Sequence, residues 1–143
     1  MMKNDAVRRS RLCALALAVA LAVIHPGCGN DSSNGPETFT ESSPVSVLGF
    51  FALTFTAQRN GTVEVDVNWN SSGNDIDVYA TAGTCANMEA VLAGSCNVVA
   101  FSDSGTAKPE RISFSATTGQ NYRVFAFNLG PGSDTVTIRL TAR

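Results

Sequence analysis

From residue 45 onward, apolar and polar positions alternate in short runs, broken about every ten residues by glycine, asparagine, aspartate or serine. Residues 62–69, TVEVDVNW, show the pattern most clearly. Val63, Val65, Val67 and Trp69 share one face, and Thr62, Glu64, Asp66 and Asn68 the other. A period of two is the mark of a half-buried β-strand. By the same parity, residues 110–116 turn Ile112 and Phe114 inward, and residues 135–140 turn Val136, Ile138 and Leu140 inward. Residues 75–80 and 98–102 read as shorter strands. Residues 47–56 and 122–128 carry apolar groups on both faces, as more deeply buried strands do. Asn60-Gly61 between two such runs is a hairpin signal. Further turns fall at 70–74, 103–105, 118–121 and 130–132, and one short helical turn is expected within 87–93. Seven to eight short strands joined this way predict an all-β fold, an antiparallel β-sandwich over residues 45–143. Its expected core is Leu53, Phe55, Val63, Val65, Val67, Ile76, Val78, Ile112, Phe114, Val124, Val136, Ile138 and Leu140.

The first 44 residues follow other rules. Residues 12–24, LCALALAVALAVI, are apolar without a break. They fall short of the roughly 20 residues a membrane span needs. With Lys3, Arg8, Arg9 and Arg11 ahead of them, they predict a signal peptide over residues 1–27. Pro26 ends the helix and Gly27 opens the backbone to a peptidase. Gly27-Cys28 resembles the lipobox of bacterial lipoproteins, in which a small residue precedes the cysteine that takes the lipid. His25 stands where that pattern usually has leucine. The resemblance implies a lipid on Cys28, a membrane as partner and a place in the bacterial cell envelope. In the sorting rule of such lipoproteins, Gly29 rather than aspartate after the cysteine points to the outer membrane, not the inner. Plain cleavage after Ala20 or Ala22, and secretion, is the alternative. Residues 28–44 are rich in Ser, Asn, Gly, Pro and acid, a composition that buries too little to order itself. They predict a flexible tether of about 20–25 Å.

Charge and cysteine content narrow the chemistry. Beyond residue 27, six Lys/Arg face eleven Asp/Glu, a net −5. So acidic a body argues against nucleic acid as a partner. The only histidine is His25, and if the predicted leader is removed the mature protein has none. Its loss excludes Ser-His-Asp and Cys-His catalysis and any histidine-bearing zinc site. Cys13 would leave as well. If Cys28 carries a lipid, Cys85 and Cys96 remain to form a disulfide, which an oxidising compartment permits.

The order of motifs resembles the bacterial pre-peptidase C-terminal domain, a small jelly-roll-like sandwich. A G-x-V-x-V-x-V strand is matched by Gly61, Val63, Val65 and Val67. A D-I-D-V-Y strand is matched by Asp75 to Tyr79, and a strand preceded by Glu by Pro109-Glu110-Arg111-Ile112. A G-x-x-Y-x-V strand is matched by Gly119, Tyr122, Val124 and Ala126, and a terminal strand by residues 133–140. The resemblance covers residues 45–143. It implies attachment or secretion functions, since members sit at the ends of exported enzymes. Within these 143 residues no enzyme domain is expected beside the sandwich, so no activity carries over.

Three groups of residues carry candidate chemistry. Asn70, Ser72, Asn74, Asp75 and Asp77 put hard oxygen donors close together, the kind calcium takes as ligands. The same composition also makes a solvated turn, in which Asp75 could brace the loop. Asp103 precedes Ser104-Gly105 in an ordinary turn. Tyr79 and Tyr122 could form an aromatic platform for sugars or polymer chains. Tyr79 shares its strand face with Asp75 and Asp77, opposite Ile76 and Val78. Glu64, Asp66, Asp75 and Asp77 are the acids a glycoside hydrolase would need. Glu64 and Asp66, however, alternate with core valines and so face solvent. Arg111 and Arg123 are expected to pair with acids across the sheet. The expected function is therefore that of a non-catalytic envelope lipoprotein that binds extracellular polymer or protein. An accessory subunit of an envelope or secretion complex is the alternative, and a small hydrolase the weaker one.

Overall fold

The computed structural model describes residues 35–105 and 107–143. The leader, Cys28 and residues 29–34 lie outside them. Eight strands form: β1 Glu37–Val45, β2 Phe50–Thr56, β3 Gly61–Trp69, β4 Ile76–Ala82, β5 Asn97–Ser102, β6 Glu110–Ala116, β7 Asn121–Asn128 and β8 Asp134–Ala142. One helix, α1 Met88–Leu92, stands between β4 and β5. The first sheet has the order β1-β8-β3-β6 and the second β2-β7-β4-β5, and every neighbouring pair runs antiparallel. This is the eight-stranded, two-sheet jelly roll. The expected antiparallel sandwich is thus the observed fold.

Because successive strands run in opposite directions, the loops sort to two ends. The connections at 46–49, 70–75, 103–109 and 129–133 share one end. The other end holds the entry to β1, the turns at 57–60 and 117–120, and Arg143.

The apolar faces of β3, β4, β6, β7 and β8 close on one another. Val67, Ile76, Val78, Val124, Val136 and Ile138 have no exposed surface. Burial of such side chains contributes about 1.5–3 kcal/mol each. Of the expected core, only Phe55 is partly rather than fully buried. It stacks on Tyr122 at 5.5 Å.

Two boundaries differ from expectation. The tether predicted over 28–44 loses its second half, since Glu37–Val45 pairs along its whole length with β8, from Glu37↔Ala142 to Val45↔Asp134. A polar strand suffices at a sheet edge, where only one side needs a ladder. The Ser42 and Thr137 hydroxyls meet across it at 2.7 Å. Glu37, Glu41 and Pro44 also discourage pairing with another chain. The strand expected over 47–56 starts only at Phe50, because Ser46 to Gly49 is a turn closed by the Gly49 N–H on the Ser46 carbonyl at 2.9 Å.

Cys85 and Cys96 are disulfide-bonded, with Cα atoms 5.6 Å apart. Their loop holds α1, capped by the Asn87 side chain, which accepts from the Ala90 N–H at 2.9 Å. Met88 and Val91 of α1 pack with Cys85 onto Phe125, on the outer face of the second sheet.

Candidate functional site

Alternation along β4 buries Ile76, Val78 and Ala80 in the core and leaves Asp77, Tyr79 and Thr81 on the outer face. Tyr79 stays partly exposed and stacks on Phe101 of β5, with ring centroids 6.1 Å apart and planes 14° from parallel. Phe101 is 60 % exposed, so the stack presents a flat aromatic surface to solvent. The Tyr79 hydroxyl donates to Asp77 Oδ2 at 3.3 Å. Asp77 is itself buried, which pushes its carboxyl up to about 6. The charge of Asp75 adds to that push, Asp103 and Glu110 add less, and the hydrogen bond from Tyr79 opposes it. Burial, then the charge of Asp77, raises the Tyr79 phenol above its usual range.

A second arrangement closes the sandwich at the 46–49 end. The inward rows of four strands finish there in polar residues: Asn74 ahead of β4, Glu110 opening β6, Asn128 closing β7 and Asp134 opening β8. All four are buried. Asp134 accepts from the Asn70 N–H (3.0 Å), the Ser71 N–H (2.8 Å), Asn74 Nδ2 (2.9 Å) and the Thr135 N–H (2.7 Å). Burial pushes its carboxyl up, but the bonds from Ser71, Asn74, Asn70 and Thr135 outweigh this and hold it below the usual range. Asn74 Oδ1 accepts from the Gly132 N–H at 3.0 Å. Asn128 Oδ1 accepts from the Gly130 N–H at 2.9 Å, and its Nδ2 donates to the Gly132 carbonyl at 2.8 Å. Gly130 is required here, since a Cβ at that position would run into Asn74. Glu110 bonds Ser102 through one oxygen, while its Oε1 and Asp75 Oδ1 are buried without a partner.

The sequence-derived candidates separate accordingly. Asp77 and Tyr79 share the outer face of β4 as expected, and Asp75 stands just ahead of the strand. Tyr122 does not join Tyr79. It belongs to the inward row of β7, is only 3 % exposed, and its hydroxyl accepts the Thr117 N–H at 2.9 Å. The five donors proposed for calcium do not converge. Asn74 turns inward onto Gly132 and Asp134, Asp77 pairs with Tyr79, and Asn70 and Ser72 lie in an exposed turn. Among the described residues, no three or more Asp, Glu, Cys or His are placed to hold a metal ion. Asp103 is an exposed turn residue.

Glu64 and Asp66 lie on the outer face of the first sheet. They pair with Arg143 at 3.0 Å and Arg111 at 2.9 Å beside an open hollow of about 390 Å³. Arg111 thus meets an acid as expected. Arg123 instead donates to the Cys85 and Ala86 carbonyls at 2.7 and 2.8 Å and lies 4.9 Å from the centre of the Phe125 ring. Trp69 is buried, and its Nε1 donates to the Asn74 carbonyl at 3.1 Å.

Sequence reasoning missed Phe101, Glu110, Asn128, Asp134 and Leu48. For Glu110, Asn128 and Asp134 a signal was present, because each continues the inward parity of its strand one step past the last apolar residue.

No protein-family description matches the chain, and no curated protein is similar to it in sequence. Its fold is similar to that of the mitogen derived from Yersinia pseudotuberculosis. The two share 13 % identity and a TM-score of 0.56 over 76 % of this chain and 87 % of the other. It is likewise similar to PliG of Aeromonas hydrophila, a periplasmic inhibitor of g-type lysozyme. There the identity is 10 % and the TM-score 0.56, over 76 % of this chain and 89 % of that one. At such identities the likeness is one of architecture: the chain is an antiparallel two-sheet sandwich of the kind these two bacterial proteins also adopt.

Proposed function

We propose that the chain is a non-catalytic envelope lipoprotein, held by a lipid on Cys28, whose sandwich binds extracellular polymer or protein. The observation that carries this reading is the Tyr79–Phe101 stack, a flat aromatic surface exposed on a rigid sheet. A large aromatic left in water on such a support is what ligand platforms use, because stacking needs little further ordering. The order of motifs that resembles pre-peptidase C-terminal domains is a further ground for an attachment role. So does the likeness in fold to an inhibitor, a protein that acts by binding. The arginine partners of Glu64 and Asp66 speak against a hydrolase, and so would the proposed removal of the leader with its histidine.

A pelleting assay with peptidoglycan, cellulose, chitin and fibrillar collagen tests the platform. At least one polymer should carry the protein down, and Phe101→Ala should lower the bound fraction about tenfold, the loss of one stacked aromatic contact. Equal pelleting of the variant would remove the platform from the reading.

The accessory-subunit reading draws on a different observation, a set of exposed apolar side chains around Leu48.

A further inference from the structure

We propose that the free edge of β5 takes an extended, uncharged segment of a protein partner as a further strand of the second sheet, seated in the seam between β5 and β6. The proposal rests on the binding reading above and names its class of partner, but it uses the main chain of β5 and not the ring stack.

Among the described residues β5 pairs with β4 alone, from Val78↔Ser102 to Ala82↔Asn97. Alternate residues of such an outermost strand turn their N–H and C=O groups outward, with no ladder to meet them. Proteins guard an edge of this kind with charge, proline or a covering element. The edge strand β1 carries Glu37, Glu41 and Pro44, and the edge strand β6 carries Glu110 and Arg111. β2 is uncharged, but where it meets β1 the space beside Phe39 and Phe55 is only about 10 Å³. β5, NVVAFS, has neither a charge nor a proline, and Val98, Val99 and Phe101 are exposed along it.

An open hollow of about 450 Å³ lies beside this edge, lined by Val98 to Phe101 of β5 and by Arg111, Ile112 and Ser113 of β6. The Ser102 hydroxyl bonds Glu110 across the seam and ties it at the end nearest the 103–109 loop. Six residues at about 3.3 Å each make the edge roughly 20 Å long, room for a strand of equal length. Alternate side chains of an incoming strand would fall on the outer face beside Phe101 and into the hollow over Ile112.

The chemistry of the edge chooses the occupant. A row of main-chain donors and acceptors at strand spacing is met by another strand, and side-chain pockets beside it add selectivity. A lipid chain would strip those groups of water and return no hydrogen bond. A sugar polymer does not carry alternating N–H and C=O groups at that spacing. Arg111 is the one charge lining the hollow, and Asp66 Oδ2 already accepts from its Nε at 2.9 Å. The groove is thus close to neutral in a chain of net −5 beyond residue 27, which suits an uncharged segment. A second copy fits poorly, because two such bodies repel. β5 is also bulged at Val99, since Ala80 pairs with Ala100 and Thr81 with Val98, and two copies would set bulge against bulge.

Selection from a displayed library of random peptides, against the full-length protein as its own cells process it, supplies the probe. Enriched peptides should share an uncharged run of about six residues rich in Val, Ile, Thr and Phe. A synthetic peptide with that run should slow amide exchange in β5 about tenfold and leave β1 and β3 unchanged. Val99→Lys puts a guard on the edge and should weaken the peptide's Kd about tenfold, whereas Val99→Thr should change it little. Val99 is exposed, so both variants should keep the thermal midpoint. If one does not, protection of β5 in the unaltered chain still decides the matter. A selection that enriches no peptide, or only charged ones, would overturn the proposal. So would protection outside β5, peptide binding kept in Val99→Lys, or a dimer in sedimentation equilibrium that Val99→Lys dissolves. Any of these, with Phe101→Ala still lowering polymer pelleting, would remove the edge and leave the aromatic platform standing.

Discussion

Asp77 is an acid that the fold keeps dry. Its carboxyl is raised to about 6, by burial first and the charge of Asp75 second. In the unfolded chain it returns to an ordinary value near 3.8. Between these values the folded protein binds the extra proton, so stability from this group is greatest at low pH. It falls as pH rises through about 6 and is flat above. Asp77→Asn keeps an acceptor for the Tyr79 hydroxyl and removes the charge. It should stabilise the protein at pH 7.5 by on the order of 1–2 kcal/mol, the linkage value discounted for partial screening, and by no more than about 0.5 kcal/mol at pH 4. Urea unfolding at both pH values measures it, and equal effects at the two would contradict the assignment. Asp134 has the opposite sign. Its contribution is complete at neutral pH and is lost as pH falls through its lowered value. The two acids were not equally legible. Asp77 stood out in the D-I-D-V-Y run, but nothing local marked it as buried; its cross-strand partner Phe127 on β7 and the Tyr79 hydroxyl that donates to it belong to its environment. Asp134, Asn128 and Glu110 followed the inward parity of their strands. They were passed over because a polar residue at a strand end reads as the start of a turn.

At the scale of elements, the disulfide segment is where local sequence and tertiary packing agree. Asn87 caps α1 as a capping residue should, but five residues do not hold a helix in water. The Cys85–Cys96 bond and the packing of Met88 and Val91 on Phe125 hold it. Replacing both cysteines by alanine should cost about 3 kcal/mol by the loop-length model. It should also expose Phe125, read as faster amide exchange across 83–96 than across β3. Slow exchange there would mean the side-chain packing is sufficient alone. β1 is the contrasting case. Its residues have tether composition, and they become a strand because β8 offers a free edge in matching register. Only the partner strand carries that information, so composition alone could not find it. Tyr122 was passed over for a different reason. Its face was in fact implied, since Val124 stood in the expected core and Tyr122 lies two residues before it on the same side, but apolar groups on both faces of 122–128 hid the parity.

For the whole molecule, the two ends do different things. One end receives the chain before Glu37 and carries Arg143, whose N–H and carbonyl both pair with Thr62. The other gathers the polar plug, the acids and the Leu48 turn. The leader and Cys28 lie outside the described residues, and the anchoring reading predicts a definite species. Intact-mass spectrometry of protein purified from native membranes should find a chain starting at Cys28 with added acyl mass. A chain starting at residue 21 or 23, without acyl mass, would make the protein a secreted one.

One further consequence follows from the pairing of Glu37 with Ala142. Paired residues of antiparallel strands lie about 5 Å apart. The body could therefore be spliced as a cassette into a hairpin loop of an unrelated host protein without stretching either junction. Every loop at the opposite end would stay free, so whatever the sandwich recognises could be displayed on a scaffold of choice.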